Sequence, residues 1–170
     1  MRELDVSDIG SMPADGINIR PRDGFLPQEE RLHRYKIPAV QAFTRANGLD
    51  KLILKGGSAP RIGIVSAGKS YLDVRQALQD LGIEAADAEA LGVRLYKVGV
   101  TWPLEPQGIL SFAQGLDLIL VVEEKRGLVE GQIRDILYGR PGAPIVIGKK
   151  DEQGDELLAS YAALDINDIA

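Results

Sequence analysis

Residues 63 to 70 read GIVSAGKS, which satisfies the phosphate-loop pattern G-x-x-x-x-G-K-[ST] letter for letter. In such a loop, backbone amides curl toward a phosphate, and Lys69 and Ser70 would complete the site. A second apolar run, LILVV, ends in Glu123, loosely like the acidic strand that accompanies these loops. A nucleotide-binding reading therefore has to be weighed. The local physics disfavours it. A phosphate loop needs its first glycine at the end of a strand, whereas Ile62, Ile64 and Val65 run as one apolar stretch through Gly63. Ending the strand at Gly63 would leave only Pro60-Arg61-Ile62 before it and put two β-branched residues into the cradle. Gly63 is expected inside the strand, where glycine marks close packing. Ser66 to Ser70 can still turn into a helix N-terminus, a place that favours anions.

Other chemistry is sparse. The chain has no cysteine, which removes disulfides, thiolate metal sites, iron–sulfur ligation and cysteine nucleophiles from this segment. His33 is the single histidine, and no Ser–His–Asp set builds around it. Glu123 and Glu124 are adjacent, so on a strand they point to opposite faces and do not form a carboxylate pair. Arg31, His33, Arg34 and Lys36 form a short basic cluster beside Glu29 and Glu30, which reads as a solvated or interdomain helix face. The net charge of −5 argues against a dedicated nucleic-acid binder. No apolar run approaches the ~18 residues of a membrane span, and MRELDVSDIG lacks a signal-peptide core, so the cytoplasm is expected.

The elements that would carry these residues alternate. Residues 1–28 are rich in Gly, Pro and Asp and read as an irregular arm. A helical pattern follows to about Gly48, which Pro38 should kink. LDKLILK is a short strand candidate, and RIGIVSA is a compact apolar run of buried-strand type. Ser70 is expected to cap the next helix with Asp73 as its reciprocal partner, and Tyr71, Val74, Ala77, Leu78 and Leu81 share one face. VRLYKVGV, a helix from Pro106, LDLILVVE, a helix from Leu128 to Tyr138, and APIVIG complete the alternation. Residues 151–170 read as an acidic tail. Strands alternating with helices predict an α/β domain with a mainly parallel sheet, whose ligands and partners meet the loops beyond the strand ends. Three loops qualify: Gly68-Lys69-Ser70, Thr101-Trp102-Pro103 and Glu124-Lys125-Arg126.

The ordered blocks RIGIVSAGKSYLDVRQAL, LGVRLYKVGVTWPLEP and GLDLILVVEEKRGLVEGQIRDILYGRPGAPIVIGK resemble the fused indolepyruvate ferredoxin oxidoreductase family. They lie in its domain that resembles the C-terminal domain of transketolase, and EERLHRYKIPAVQAFTRANGLDKL resembles what precedes it. The resemblance implies a three-layer α/β/α sandwich over residues 29–150, with five strands in the order 1-3-2-4-5 and strand 1 antiparallel. It places a crevice between Gly68-Lys69-Ser70 and Glu124-Lys125-Arg126. It also implies a parent enzyme that uses thiamine diphosphate, magnesium and iron–sulfur clusters, passes electrons to ferredoxin and transfers an acyl group to coenzyme A.

None of the catalytic motifs of that enzyme is visible here. The segment is expected to be a structural and interface domain that binds no cofactor itself. Its partners would be the other domains or subunits of the parent, with a homodimer also allowed. Two alternatives remain open at this point: a phosphate-loop nucleotide binder, and a small module holding an anion such as a coenzyme A phosphate in the crevice. Calorimetric titration of the chain with Mg·ATP is expected to give no heat. Micromolar binding that disappears in Lys69→Ala would make the chain a nucleotide binder.

Overall fold

The computed structural model describes residues 12–18 and 20–170, so residues 1–11 and 19 of the expected arm lie outside the described residues. The chain divides into two compact units, Met1–Leu49 and Asp50–Ala170.

In the first unit the helical pattern starts at Phe25, inside the stretch read as irregular, and forms α1 (Phe25–Arg31), a π-helical turn (Leu32–Lys36) and α2 (Ile37–Asn47). Pro38 occupies the first turn of α2. A proline lacks the amide for the regular ladder and crowds the preceding turn, and the wider π turn just ahead of it absorbs that misfit. Arg31 is spent locally, with Nη1 3.2 Å from Asp15 Oδ1 and a further bond to the Gly16 carbonyl. Hydrogen bonds from Arg31 and Arg20 hold the Asp15 carboxyl down to about 2. Arg34 pairs with Glu30 at 3.1 Å on the exposed face, as a solvated helix would.

The second unit carries β1 (Lys51–Lys55), β2 (Ile62–Ala67), α3 (Gly68–Asp80), α4 (Ala85–Leu91), β3 (Val93–Val98), α5 (Pro106–Ala113), β4 (Leu118–Val122), α6 (Val129–Leu137) and β5 (Ile145–Ile147). The five-stranded sheet has the order β1-β3-β2-β4-β5, with β1 antiparallel to β3 and the other pairs parallel. This is the three-layer α/β/α arrangement implied by the family resemblance. Alternation along each strand divides the apolar side chains between two faces. Val65, Tyr96, Ile119 and Val121 meet Ile109 and Phe112 of α5 and Ile133 and Leu137 of α6. Leu95 and Val122 face the other way, toward Tyr71, Val74 and Leu78 of α3.

That second face has one long helix, and the chain's end completes it. Leu158 and Leu164, at 3% and 4% exposure, pack into the same cluster. Each such leucine contributes about 1.5–3 kcal/mol by burial. Residues read as an acidic tail thus include part of the core, although Glu152 to Glu156 are exposed as a solvated loop should be.

Two local expectations shift. The helix after β2 begins at Gly68, so Ser70 lies in its first turn and does not cap it; the preceding Ala67 offers no side-chain acceptor. Asp73 is not a capping partner either, because Lys69 Nζ engages its carboxylate at 2.6 Å. Gly63, by contrast, is within β2, paired with Arg94 on one side and Ile119 on the other. A Cβ on it would lie 2.5 Å from Leu116 Cδ1 and 2.6 Å from Phe112 Cζ. Gly63→Ala is expected to cost about 1–3 kcal/mol through overpacking, read as a lower urea midpoint at unchanged slope.

Candidate functional site

The parallel strands β2, β3 and β4 end on the same side of the sheet, and their following loops enclose a crevice of about 350 Å³. It brings together Gly68, Lys69, Ser70, Thr101, Glu124 and Arg126 of the residues expected from the sequence. It also recruits Ala67, Glu123, Leu128 and Val129. Trp102, Pro103 and Lys125 do not line it. Pro103 is buried behind a cis peptide bond from Trp102, which is itself 52% exposed, and Lys125 turns outward in a left-handed conformation.

The two adjacent glutamates go to different partners. Glu123 accepts three amide hydrogens at the start of α6: Leu128 N at 3.0 Å and Val129 N at 2.9 Å on Oε2, and Glu130 N at 2.9 Å on Oε1. These amides have no partner within the helix, and a carboxylate opposite the positive end of the helix dipole satisfies both needs. Glu124 instead lies with Oε1 3.3 Å from Lys69 Nζ, without a regular hydrogen bond. Lys69 is drawn mainly to Asp73, and this bond, with help from Glu124, holds its ammonium above the usual lysine range. The lysine that would meet a phosphate is therefore engaged by two carboxylates. With Gly63 inside the strand, the phosphate-loop geometry does not form, which counts against the nucleotide-binding alternative.

Sequence reading missed the layer behind the crevice. Glu130, 5% exposed, accepts the Lys149 amide at 2.8 Å on Oε2 and pairs with Arg134 at 2.8 Å on Oε1. Gly148 leaves room for that carboxylate, since a Cβ there would lie 2.6 Å from Glu130 Oε2. Lys149, 8% exposed, donates through Nζ to the Glu123 carbonyl and, at 2.9 Å, to the Ala159 carbonyl. Gln132 ties the neighbouring loops together: its Nε2 reaches the Thr101 and Leu128 carbonyls, both at 2.9 Å, while Oε1 accepts Leu104 N at 2.8 Å. Lys149 had one available signal, a charged residue directly after the apolar strand run APIVIG. Glu130 and Gln132 had none, because both look like ordinary polar helix positions.

The crevice wall is thus internally paired, and its rim is different. Trp102 and Leu128 are 52% and 50% exposed, on loops whose carbonyls share the Gln132 amide. Arg126 makes no hydrogen bond or ion pair among the described residues. No group of three or more His, Asp or Glu side chains is arranged to hold a metal ion among the described residues, nor is any described helix long and apolar enough to cross a membrane.

With this geometry in view, comparison with known proteins is informative. The indolepyruvate oxidoreductase domain matches residues 52–170. Indolepyruvate oxidoreductase subunit IorA of Thermococcus kodakarensis is 35% identical over 99 residues, covering 58% of this chain and 14% of that protein. The subunit of Pyrococcus abyssi is 31% identical over 121 residues, covering 70% and 17%. That of Methanothermobacter thermautotrophicus is 31% identical over 136 residues, covering 75% and 21%. The chain therefore spans about a fifth or less of the length of these relatives. Among solved structures, an inactive split-gene transketolase β4 tetramer aligns at a TM-score of 0.49 and 18% identity, over 71% of this chain and 38% of that one. A 2-oxoglutarate:ferredoxin oxidoreductase from Magnetococcus marinus aligns at 0.46 and 20%, over 77% and 21%.

Glu123→Ala is expected to destabilise the chain by about 1–2 kcal/mol, the usual range for losing a helix N-terminal acceptor. Urea unfolding followed by circular dichroism measures it, and an unchanged midpoint would remove Glu123 from this role.

Proposed function

This chain belongs to the indolepyruvate oxidoreductase family, and on that premise we propose that it is a structural and interface domain of a thiamine-diphosphate-dependent enzyme acting on an aryl 2-oxoacid. The observation that carries the reading is the contrast between the crevice wall and its rim. Glu123, Lys69 and Glu130 are committed to internal partners, while Trp102, Leu128, Lys125 and Arg126 face outward. Apolar and aromatic side chains exposed together with unpaired cations suit a protein contact better than a reaction centre.

The parent enzyme is proposed to use magnesium, iron–sulfur clusters and coenzyme A beside thiamine diphosphate, with ferredoxin as electron acceptor, in the cytoplasm. The residues of this chain do not fit those groups. It has no cysteine for a cluster, and the carboxylates of the crevice already hold amides or ammonium groups. Its partners are then the other domains or subunits of the parent, including a second copy in a homodimer. Within the chain, the α/β domain is proposed to extend over residues 29–150, preceded by an arm at 1–28 and followed by a C-terminal segment at 151–170.

Two measurements test this. The chain alone, given thiamine diphosphate, magnesium, indolepyruvate and ferredoxin, is expected to reduce no ferredoxin. In the parent enzyme, Trp102→Ala combined with Arg126→Glu is expected to weaken assembly by about tenfold or more in analytical ultracentrifugation, as interface anchors do. Turnover by the chain alone, or undiminished assembly of the variant, would overturn the reading.

A further inference from the structure

The crevice and the end of the chain share two lysines. Lys149 is held at four points: its amide by Glu130 Oε2 at 2.8 Å, its carbonyl by Leu157 N at 3.0 Å, and its ammonium by the Glu123 and Ala159 carbonyls. Lys69, on the opposite wall, lies 3.3 Å from Glu124 Oε1 and 3.5 Å from the Leu164 carbonyl. Between these attachments run Leu158 and Leu164, buried against α3 and the sheet. The segment has little regular structure of its own beyond a short 3₁₀ turn at Ile166–Asp168. Its position depends on Leu158, Leu164 and the partly buried Ile169, on the Lys150–Glu156 bridge and the Leu157 amide at its base, and on the ammonium groups of Lys69 and Lys149.

Glu123 is the point where both systems meet. Its carbonyl is held by Lys149, which also holds the tail, and its carboxylate holds the first amides of α6. We propose that residues 151–170 form a strap whose docking is linked, through Lys149 and Glu123, to the geometry of the crevice wall and the first turn of α6. The proposal rests on the reading of the crevice as a contact site and describes how that site is regulated. If the strap lifts, Lys149 loses the Ala159 carbonyl, one of two acceptors for a buried ammonium. Desolvation already holds that group below the usual lysine range. An under-partnered buried cation is costly, so the side chain turns toward water and abandons the Glu123 carbonyl as well. By reciprocity, a partner that binds the crevice better with the strap lifted promotes release of the strap, and one that needs the docked wall tightens it.

Amide hydrogen exchange on the full 170-residue chain tests the link. In Leu158→Ala/Leu164→Ala, amides of the strap are expected to lose protection, and those of Leu128, Val129 and Glu130 to exchange about tenfold faster, within the range of ordinary couplings. Amides of β2 and β4 should keep their protection. Lys149→Met, which keeps the apolar stem and removes the ammonium, is expected to produce the same two effects without touching either leucine. The strap opening while residues 128–130 keep their protection would overturn the proposal, as would a Lys149→Met chain indistinguishable from the parent. If the double variant loses protection everywhere, Leu164→Ala alone and Lys149→Met decide by the same criteria. The readout needs no partner, so this link and the interface reading fail separately: unlinked exchange leaves the assembly result untouched, and intact assembly of the rim variant leaves the exchange result untouched.

Discussion

Where β2 passes beneath Phe112 and Leu116, there is room for backbone and nothing more. Gly63 meets that constraint, and much of the second unit follows from it. With α5 and its following turn seated directly on the central strand, β2 runs unbroken from Ile62 to Ala67 and pairs with β3 on one side and β4 on the other. The segment GKS then falls at the carboxyl end of the strand and enters α3 at once. A side chain at residue 63 would separate α5 from the sheet, and interiors packed at crystal-like density have no slack to absorb it.

The same end of the sheet shows how charge is accommodated beside an apolar core. Glu123 offsets the exposed amides of α6, Glu130 satisfies the backbone of Lys149, and Lys149 satisfies two carbonyls that would otherwise be left without donors. Each group answers a requirement created by the backbone at an element's end, which is why the cluster sits where strands and helices meet. Charges placed in this way hold loops in position. What faces outward is a tryptophan, a leucine and an arginine whose partners are not supplied by the described chain, and that asymmetry is what the proposed reading of the crevice as a contact surface rests on.

The completion of the sheet's second face by an extended segment has a further consequence. A helix in that position would carry its own hydrogen bonds and resist displacement, whereas the strap borrows its attachments from Lys69, Lys149 and the α3 surface. The strap's internal bonds are confined to its turns at residues 151–155 and 165–170, and a stretch without them, such as 156–164, opens more readily than the core it covers.

Strand positions were legible in the sequence because buried parallel strands are compact apolar runs, and RIGIVSA and LDLILVVE stand out against polar flanks. The in-strand place of Gly63 was legible for a related reason, since apolar β-branched neighbours fit a pleated ladder and not a phosphate cradle. The crevice between residues 68–70 and 124–126 followed from chain order and the implied topology. Other features depended on neighbours distant in sequence. Whether Ser70 caps α3 turned on where β2 releases the chain, and whether Asp73 serves as a cap turned on Lys69. The role of Lys149 exists only because Glu123 and Ala159, 26 and 10 residues away, converge on one ammonium. Local pattern thus determined the elements and their order, because periodicity and turn chemistry act over a few residues. The partners of each charge were decided by tertiary structure, because a hydrogen bond depends on distance in space and sequence spacing does not record it.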